Sequence, residues 1–200
     1  MYHVYYHSPI GILEIKSDGR SVIGLNFVEK AGENQPCPVL ELALGQIDEY
    51  FHGHRRDFDL PLDLDGTDFQ KKVWAELRKI PYGETRSYGE LADSIGNKNA
   101  SRAVGMANNR NPIGIIVPCH RVIGKNGSMI GYAGGLEKKE WLVRHEAIFE
   151  TTPVLLNEKI KKQPVIKKEK WKTLIDFTEG GKKEGIDAGK LLEMMKKIKA

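Results

Sequence analysis

The chain has 200 residues, of which 40% are hydrophobic and 29% are charged, and its formal net charge is +4. These values are typical of a globular protein with one domain or two compact lobes, and they exclude a low-complexity or fibrous chain. No apolar run approaches the ~18–20 residues that span a bilayer, and the N-terminus lacks a signal-peptide pattern, so we expect no membrane contact and a cytoplasmic protein, or a nuclear one in a eukaryote.

The first 65 residues have the pattern of short strands followed by a helix. Residues 12–16 and 22–27 partly alternate between apolar and polar side chains, which predicts two strands. Residues 40–51 place apolar side chains at helical spacing, and Gly53 is expected to end that helix. Residues 57–66 alternate acidic and apolar side chains, which predicts a strand or an extended connector.

A second helix is predicted from Thr67 onward. Thr67 with Gln70 three residues later forms a capping-box pattern. The helix that follows extends as far as Ile80. One apolar face of it is directed toward a core and consists of Phe69, Val73, Trp74, Leu77 and Ile80. The sequence Pro-Tyr-Gly at 81–83 is expected to end it.

Two short helices, 87–95 and 100–109, are predicted on either side of a turn, with Asn99 as the N-cap of the second. Such a pair is typical of a helix-turn-helix, although an ordinary helical hairpin fits the pattern equally well. The second helix has a run of small residues around Arg102, namely Ala100, Ser101, Ala103, Gly105 and Ala107. Small side chains either allow close approach to a narrow DNA groove or pack tightly on a neighbouring helix.

The chain has two cysteines, Cys37 and Cys119, which favours free thiols over a disulfide framework. Cys119 ends an apolar run at 113–117 and precedes His120 and Arg121. Burial there favours the neutral thiol, whereas adjacent cations favour the thiolate. With Glu146 downstream as a third group, the pattern fits an activated nucleophile, although a neighbouring cysteine and histidine are often incidental.

A last helix is predicted over 138–148.

The basic character of the chain is concentrated in residues 151–200, which hold 13 of the 31 Lys and Arg residues and 7 of the 27 Asp and Glu residues. Residues 1–150 therefore hold 18 basic and 20 acidic side chains. Three interpretations of the tail remain open: a helical appendage packed on the body, non-specific affinity for the phosphates of a nucleic acid, or a helix that docks on a partner.

The segment 111–124, Asn-Pro-Ile-Gly-Ile-Ile-Val-Pro-Cys-His-Arg-Val-Ile-Gly, closely resembles the active-site signature of the O6-alkylguanine-DNA alkyltransferases, also called methylated-DNA–protein-cysteine methyltransferases. Further motifs similar to that family occur in the same order at 48–51, 66–70, 73–74, 80–83, 87–92, 102–105, 131–135 and 142–146. The resemblance runs from about residue 8 to 147 and is strongest over 66–146. So many motifs at matching intervals argue against chance.

The resemblance implies an α+β fold with three parts. Residues 1–65 would form a small antiparallel sheet with a helix, in a ribonuclease-H-like arrangement. Residues 66–150 would form a mostly helical domain that contains a helix-turn-helix, binds DNA and holds the active site. Residues 151–200 extend beyond the usual end of the family, and we expect this Lys-rich extension to be partly helical.

The resemblance also implies catalytic roles. Cys119 would accept the alkyl group, and His120 would take its proton through a water while Glu146 holds the imidazole. Asn111 would brace the turn that carries the cysteine, and Tyr132 would donate a proton to the guanine ring. A thiolate suits displacement at a saturated carbon, and the thioether product is not hydrolysed, so we expect a single turnover without a cofactor.

The implied partner is double-stranded DNA, bound in the minor groove without sequence preference. Arg102 would enter the base stack and Tyr88 would press on the rotating phosphate, with contacts from Ala100, Ser101, Ala103 and Gly105. The alkylated base would lie in a pocket formed by Gly114, Val122, Ile130 and Ala133. The backbone carbonyls near Cys119 and Val122 would accept from its exocyclic amine.

The sequence departs from the family pattern in two pocket positions and at one metal site. Ala133 replaces a polar residue of many relatives and Ile130 replaces a glycine of some, which leaves the accepted alkyl size open. Some relatives bind zinc near their N-terminus, but the matching region here has Ser17 and no cysteine, so we expect no metal. We expect a monomer. Two alternatives remain, a non-catalytic lesion-binding protein and a Cys–His hydrolase.

Overall fold

The computed structural model describes residues 1–151, and these belong to one compact unit. Apart from residue 151, the Lys-rich extension lies outside the described residues. The predictions that it is partly helical, binds DNA or contacts a partner therefore concern residues that the structure does not describe. Among the helices of this part of the chain, none has the length and apolar character to cross a membrane.

The N-terminal part is a three-stranded antiparallel sheet in the order β1 (Tyr2–Ser8), β2 (Gly11–Ser17) and β3 (Val22–Val28). The predicted strands at 12–16 and 22–27 are confirmed as β2 and β3. The register aligns Ile15 with Val4 on one side and with Leu25 on the other. These three side chains are buried, so they form the apolar face that the helix covers.

Helix α1 (Pro38–Phe51) packs on this face. It begins two residues before the predicted start because Pro38 occupies its first turn, where the fixed φ angle of proline favours a helix and no amide is needed. It ends just before Gly53, whose φ of 72° is in the left-handed region that glycine adopts without strain. The segment 57–66 is an extended connector with a single parallel bridge, from Leu62 to Val22 of β3.

Helix α2 (Asp68–Leu77) has the predicted capping box. The amide of Gln70 donates to Oγ1 of Thr67 at 3.3 Å, and the amide of Thr67 donates to Oε1 of Gln70 at 2.8 Å. The helix ends three residues before Ile80, because the amides of Lys79 and Ile80 bond three residues back and tighten the last turn.

Helices α3 (Tyr88–Ser94) and α4 (Ser101–Asn109) pack against each other across a turn, as predicted for a helix-turn-helix. The prediction that Asn99 caps the second helix is wrong. A 3₁₀ turn, Lys98–Ala100, precedes α4, and the side chain of Asn97 accepts from the amide of Asn99. The extra turn moves the capping side chain two residues upstream.

The final helix, α5 (Leu136–Thr151), is longer than predicted and contacts α1 through aromatic rings. Tyr50 and Phe51 of α1 both contact the His145 ring, which stacks on Trp141 with centroids 4.8 Å apart. A short parallel pair, β4 (Arg86–Ser87) and β5 (Val122–Ile123), joins α3 to the segment after Cys119. This pair holds the end of the cysteine-bearing loop that follows Cys119.

Candidate active site

The loop before Cys119 is braced by Asn111. Its side-chain amide donates to the carbonyl of Val117 at 2.7 Å, and its side-chain oxygen accepts from the amide of Ile113 at 3.1 Å. The same loop is attached to β3, because the carbonyl of Leu25 accepts from the amide of Gly114 at 3.0 Å. A buried loop needs such partners for its polar backbone groups.

The apolar run folds into two three-residue turns. The amide of Ile116 bonds the carbonyl of Gly114 around Ile115, whose φ of 67° is unusual for a β-branched residue. The amide of Cys119 bonds the carbonyl of Val117 around Pro118, whose φ of −81° and ψ of 64° define an inverse γ-turn. The chain therefore reverses sharply just before Cys119. Ile115 is 1% exposed, so the packing around its side chain holds this strained conformation in place.

Cys119 begins a 3₁₀ turn, Cys119–Arg121, and only 6% of the residue is exposed. Burial raises the pKa of its thiol. Opposing influences come from a hydrogen bond with the Asn111 side chain, the charge of Lys139, and the backbone amides of Cys119 and His120. Because burial prevails, the resting thiol is neutral near pH 7, and a nucleophilic sulfur requires a base.

His120 and Arg121, the two basic residues that follow Cys119 in the sequence, bond to Glu146. Nε2 of His120 lies 2.7 Å from Oε1 of Glu146, and Arg121 binds both carboxylate oxygens at 2.8 and 3.0 Å. The Tyr50 hydroxyl and the Gly83 amide also donate to this carboxylate, at 2.8 and 3.2 Å. Both oxygens of the buried Glu146 carboxylate thus accept hydrogen bonds.

Burial keeps the imidazole of His120 neutral, and this network determines its tautomer. Burial raises the pKa of Glu146, but the charges and hydrogen bonds of His120 and Arg121 outweigh it and hold that pKa well below its usual range. Burial lowers the pKa of His120, so the imidazole is neutral at pH 7. Since an ionised carboxylate only accepts, Nε2 of His120 carries the proton and Nδ1 is left with a free lone pair.

Nδ1 of His120 is buried and has no hydrogen-bond partner among the described residues. A buried polar atom without a partner is uncommon and often marks a catalytic role or a water position. The imidazole is therefore oriented and unprotonated on its free nitrogen, as a general base must be.

The charge of Cys119 acts on the pKa values of three further side chains. Burial and then the Cys119 charge raise the pKa values of Tyr132 and Tyr88, so both hydroxyls remain protonated. The Tyr88 hydroxyl donates to the carbonyls of Ile130 and Gly131 at 3.0 and 3.2 Å. Lys139 is the third, and it was not among the residues that the sequence pointed to.

The predicted DNA-facing residues of α4 differ in exposure. Arg102 and Ala103 are exposed, and Ser101 and Gly105 are partly exposed. Ala100 is only 8% exposed, which leaves little surface for a DNA contact and fits tight packing instead. Sequence reasoning missed Met106, which is 61% exposed and lies one turn after Arg102.

The predicted pocket residues also lie in different places. Ala133 is exposed, Ile130 is 46% exposed, Val122 is buried on β5, and Gly114 lies against β3. The Cys119 carbonyl already accepts from the Val122 amide and from the Asn108 side chain. A guanine amine bound there would have to replace one of these donors, so the pocket roles remain predictions.

Comparisons with known proteins identify the family of the chain. The model of the 6-O-methylguanine DNA methyltransferase DNA-binding domain matches residues 68–148, and the model of its ribonuclease-like domain matches 1–64. The methylated-DNA–protein-cysteine methyltransferase of Methanosarcina acetivorans is 50% identical over 153 residues, which cover 73% of this chain and 98% of that protein.

A second relative of the same name, from Methanosarcina mazei, is 59% identical over 153 residues, covering 72% of this chain and 97% of that protein. The crystal structure of the Mycobacterium tuberculosis OGT protein in complex with DNA matches with a TM-score of 0.70 at 45% identity, covering 74% of this chain and 94% of that one. The predicted α+β fold is confirmed, and the chain belongs to the 6-O-methylguanine DNA methyltransferase family.

Proposed function

We propose that this chain is a methylated-DNA–protein-cysteine methyltransferase that repairs O6-alkylguanine by moving the alkyl group irreversibly onto Cys119. The relatives' names support the reaction class. The observation that carries the proposal is the buried Cys119 thiol beside His120, a neutral imidazole with an unpartnered Nδ1 that an ionised Glu146 orients.

The reaction begins with removal of the thiol proton. The Cys119 thiol is neutral at rest, and His120 takes its proton on Nδ1 through a bridging water. The positive charge that appears on the imidazole is stabilised by Glu146, whose carboxylate stays ionised. This role needs a carboxylate that is never protonated at working pH, and the buried pairing with Arg121 provides one.

The thiolate then attacks the alkyl carbon in line with the guanine oxygen. A sulfur–carbon bond forms and the carbon–oxygen bond breaks, which leaves its electron pair on the guanine. Tyr132 donates a proton to the ring and regains one from solvent, while His120 releases the thiol proton to solvent. The net exchange therefore replaces the thiol hydrogen with alkyl and the alkyl of guanine with hydrogen. A protonated hydroxyl is required for this step, and the raised pKa of Tyr132 supplies it. No cofactor or metal enters the scheme.

The target atom lies inside the duplex, so the base must leave the stack at a cost of a few kcal/mol. The exposed face of α4 suits this task because small side chains allow close approach to the minor groove. Arg102 would occupy the vacated space, and the exposed Met106 on the same face would add apolar contact. We propose that the protein does this as a monomer and without sequence preference.

The decisive test is to weigh the intact protein after incubation with a duplex that contains one O6-methylguanine. We expect the wild-type chain to gain one CH₂ unit per molecule, and Cys119→Ser to gain nothing, because a serine hydroxyl is far harder to ionise. Tight binding of the lesion with unchanged mass would instead support a non-catalytic lesion-binding protein. Repeated turnover of an ester would support a hydrolase.

Arg102→Ala is expected to slow repair of duplex DNA by about tenfold or more, because the finger no longer offsets the cost of unstacking. Single-turnover rates on the duplex and on free O6-benzylguanine would be compared, and the rate on the free base should barely change. Arg110→Ala is the matched control, since it removes an exposed charge at the other end of α4. Equal slowing on both substrates would contradict a finger role.

A further inference from the structure

Asn108 is a buried polar residue that has no role in the proposed reaction. It lies on α4, and only 2% of it is exposed. Its side-chain Nδ2 donates to the backbone carbonyl of Cys119 at 3.3 Å, so the amide contacts the residue that bears the nucleophile. Its Oδ1 is buried and has no hydrogen-bond partner among the described residues. A buried acceptor without a donor is costly and often marks the position of a ligand or a water.

The position of Asn108 is fixed by hydrogen bonds of the backbone around it. Its own carbonyl accepts from the amide of Asn111 at 3.3 Å. The preceding carbonyl, that of Ala107, accepts from the buried Nε1 of Trp74 at 2.8 Å. Arg102 is exposed on the same helix, whereas Asn108 is buried. Helix α4 therefore turns one face toward the proposed DNA surface and holds Asn108 on its inward face.

The Cys119 carbonyl has no free lone pair for a substrate. A carbonyl oxygen accepts two hydrogen bonds, and this one already accepts from the Val122 amide and from Nδ2 of Asn108. Oδ1 of the same Asn108 amide group is a free acceptor beside it. A donor that enters here can therefore pair with Oδ1 without breaking either existing bond.

The proposed substrate carries a donor group that suits this acceptor. An O6-alkylated guanine has no hydrogen on N1, so its exocyclic amine is the donor on the base-pairing edge. Proteins that flip a base read it through hydrogen bonds to this edge. The O6 alkyl group lies on the same edge, so a base whose alkyl carbon meets the Cys119 sulfur brings its amine into the same part of the pocket.

We infer that Oδ1 of Asn108 accepts a hydrogen bond from the exocyclic amine of the flipped alkylguanine and so selects guanine over bases that lack this amine. The inference rests on the proposed function, which supplies the substrate. The amine has two hydrogens, so the second is free for a backbone acceptor such as the Val122 carbonyl. No covalent bond to Asn108 forms or breaks, and the residue acts on specificity through its contact with the base.

The test compares two duplexes, one with O6-methylguanine and one with O6-methylhypoxanthine, which lacks the amine. Single-turnover transfer rates are measured for the wild-type, Asn108→Leu and Asn108→Asp chains. We expect Asn108→Leu to lower the preference for guanine, expressed as the ratio of the two rates, by about fivefold or more, because the leucine side chain has no acceptor for the amine. Asn108→Asp retains an acceptor oxygen and should keep the preference.

Asn109→Leu is the matched control, since it makes the same change at the exposed neighbouring position. The control should keep the wild-type ratio. The ratio also cancels the difference in pairing energy between the two duplexes, because that difference is the same for every variant. If Asn108 only supported the fold, Asn108→Leu would slow transfer from both duplexes equally. An unchanged ratio in a folded Asn108→Leu chain would therefore overturn the inference.

A binding measurement covers the case in which Asn108→Leu does not fold. The side-chain amide signals of Asn108 are followed by NMR in the Cys119→Ser chain while O6-benzylguanine or O6-benzylhypoxanthine is added. A shift with the guanine compound that is absent with the hypoxanthine compound is expected, and equal shifts or none would overturn the inference. This experiment needs no reaction at sulfur, so a chain that binds the base in this way but transfers no alkyl group contradicts the proposed function alone.

Discussion

Replacing Glu146 with glutamine is expected to lower the free energy of unfolding by about 3–5 kcal/mol. The carboxylate accepts five hydrogen bonds in the buried interior, two of them from the Arg121 guanidinium. A glutamine side chain has one acceptor oxygen and adds an amide that cannot accept from Arg121 or from the Tyr50 hydroxyl. The guanidinium would then remain buried without a counter-charge.

Urea unfolding of the wild-type and variant chains measures this loss. Glu140→Gln is the matched control, because Glu140 lies on the same helix and pairs with Arg144 in an exposed i,i+4 position. The control should cost less than about 1 kcal/mol, as exposed ion pairs contribute little. Similar losses for both variants would show that the network around Glu146 is not what stabilises this part of the fold.

The same variant should change how stability depends on pH. The pKa of Glu146 is held well below its usual range in the folded state, so its contribution is fully present above the unfolded value, about 4.3. This contribution to stability is lost progressively as the pH falls from the unfolded-state pKa of Glu146 toward its lower folded-state pKa. The wild-type chain should therefore lose its advantage over Glu146→Gln as the pH falls below about 4, whereas the difference should stay constant between pH 6 and 8.

The five hydrogen bonds to Glu146 come from four residues in distant parts of the chain. Tyr50 belongs to α1, Gly83 follows α2, and His120 and Arg121 follow the cysteine. The carboxylate therefore connects the N-terminal part of the chain to His120, the proposed base. A substitution in α1 that moves the Tyr50 hydroxyl should thus affect the orientation of His120 as well as stability.

Features that depend on local sequence were predicted well. The capping box of Thr67 and Gln70 involves residues three apart, and its two hydrogen bonds form as the pattern required. The strands at 12–16 and 22–27 were recognisable because one face of each is buried. The start of α4 was not predicted, because Asn97 caps a preceding 3₁₀ turn that the pattern does not encode, and α4 itself has no side-chain cap.

Features that depend on long-range contacts were predicted less well. From the sequence, His120 and Arg121 were expected to be the cations that favour the Cys119 thiolate. In the structure Arg121 bonds to Glu146, and the cation whose charge lowers the pKa of the Cys119 thiol is Lys139 of α5. A signal for Lys139 was present: it shares a helical face with the buried Leu142 and with Glu146. A lysine on such a face is usually assigned to solvent, because nothing local shows what lies opposite.

His120→Gln is expected to slow alkyl transfer at pH 7.5 by about 10²–10⁴-fold. Glutamine retains a donor for Glu146, so the network stays paired, but it has no nitrogen that can take the thiol proton. Because burial raises the pKa of Cys119, little thiolate forms at this pH without a base. The deficit should shrink at higher pH as solvent hydroxide removes the proton. Single-turnover rates on an O6-methylguanine duplex between pH 6.5 and 9.5 measure both effects.

His145→Gln separates the loss of a base from the loss of a buried histidine. His145 is buried on α5, and its Nε2 lies 2.9 Å from the carbonyl of Tyr50, a contact that a glutamine amide can replace. Its ring stacks on Trp141, so the variant should melt at a lower temperature while each folded molecule transfers at the normal rate. If His120→Gln also transferred at the wild-type rate at pH 7.5, the thiol would have to ionise without the imidazole.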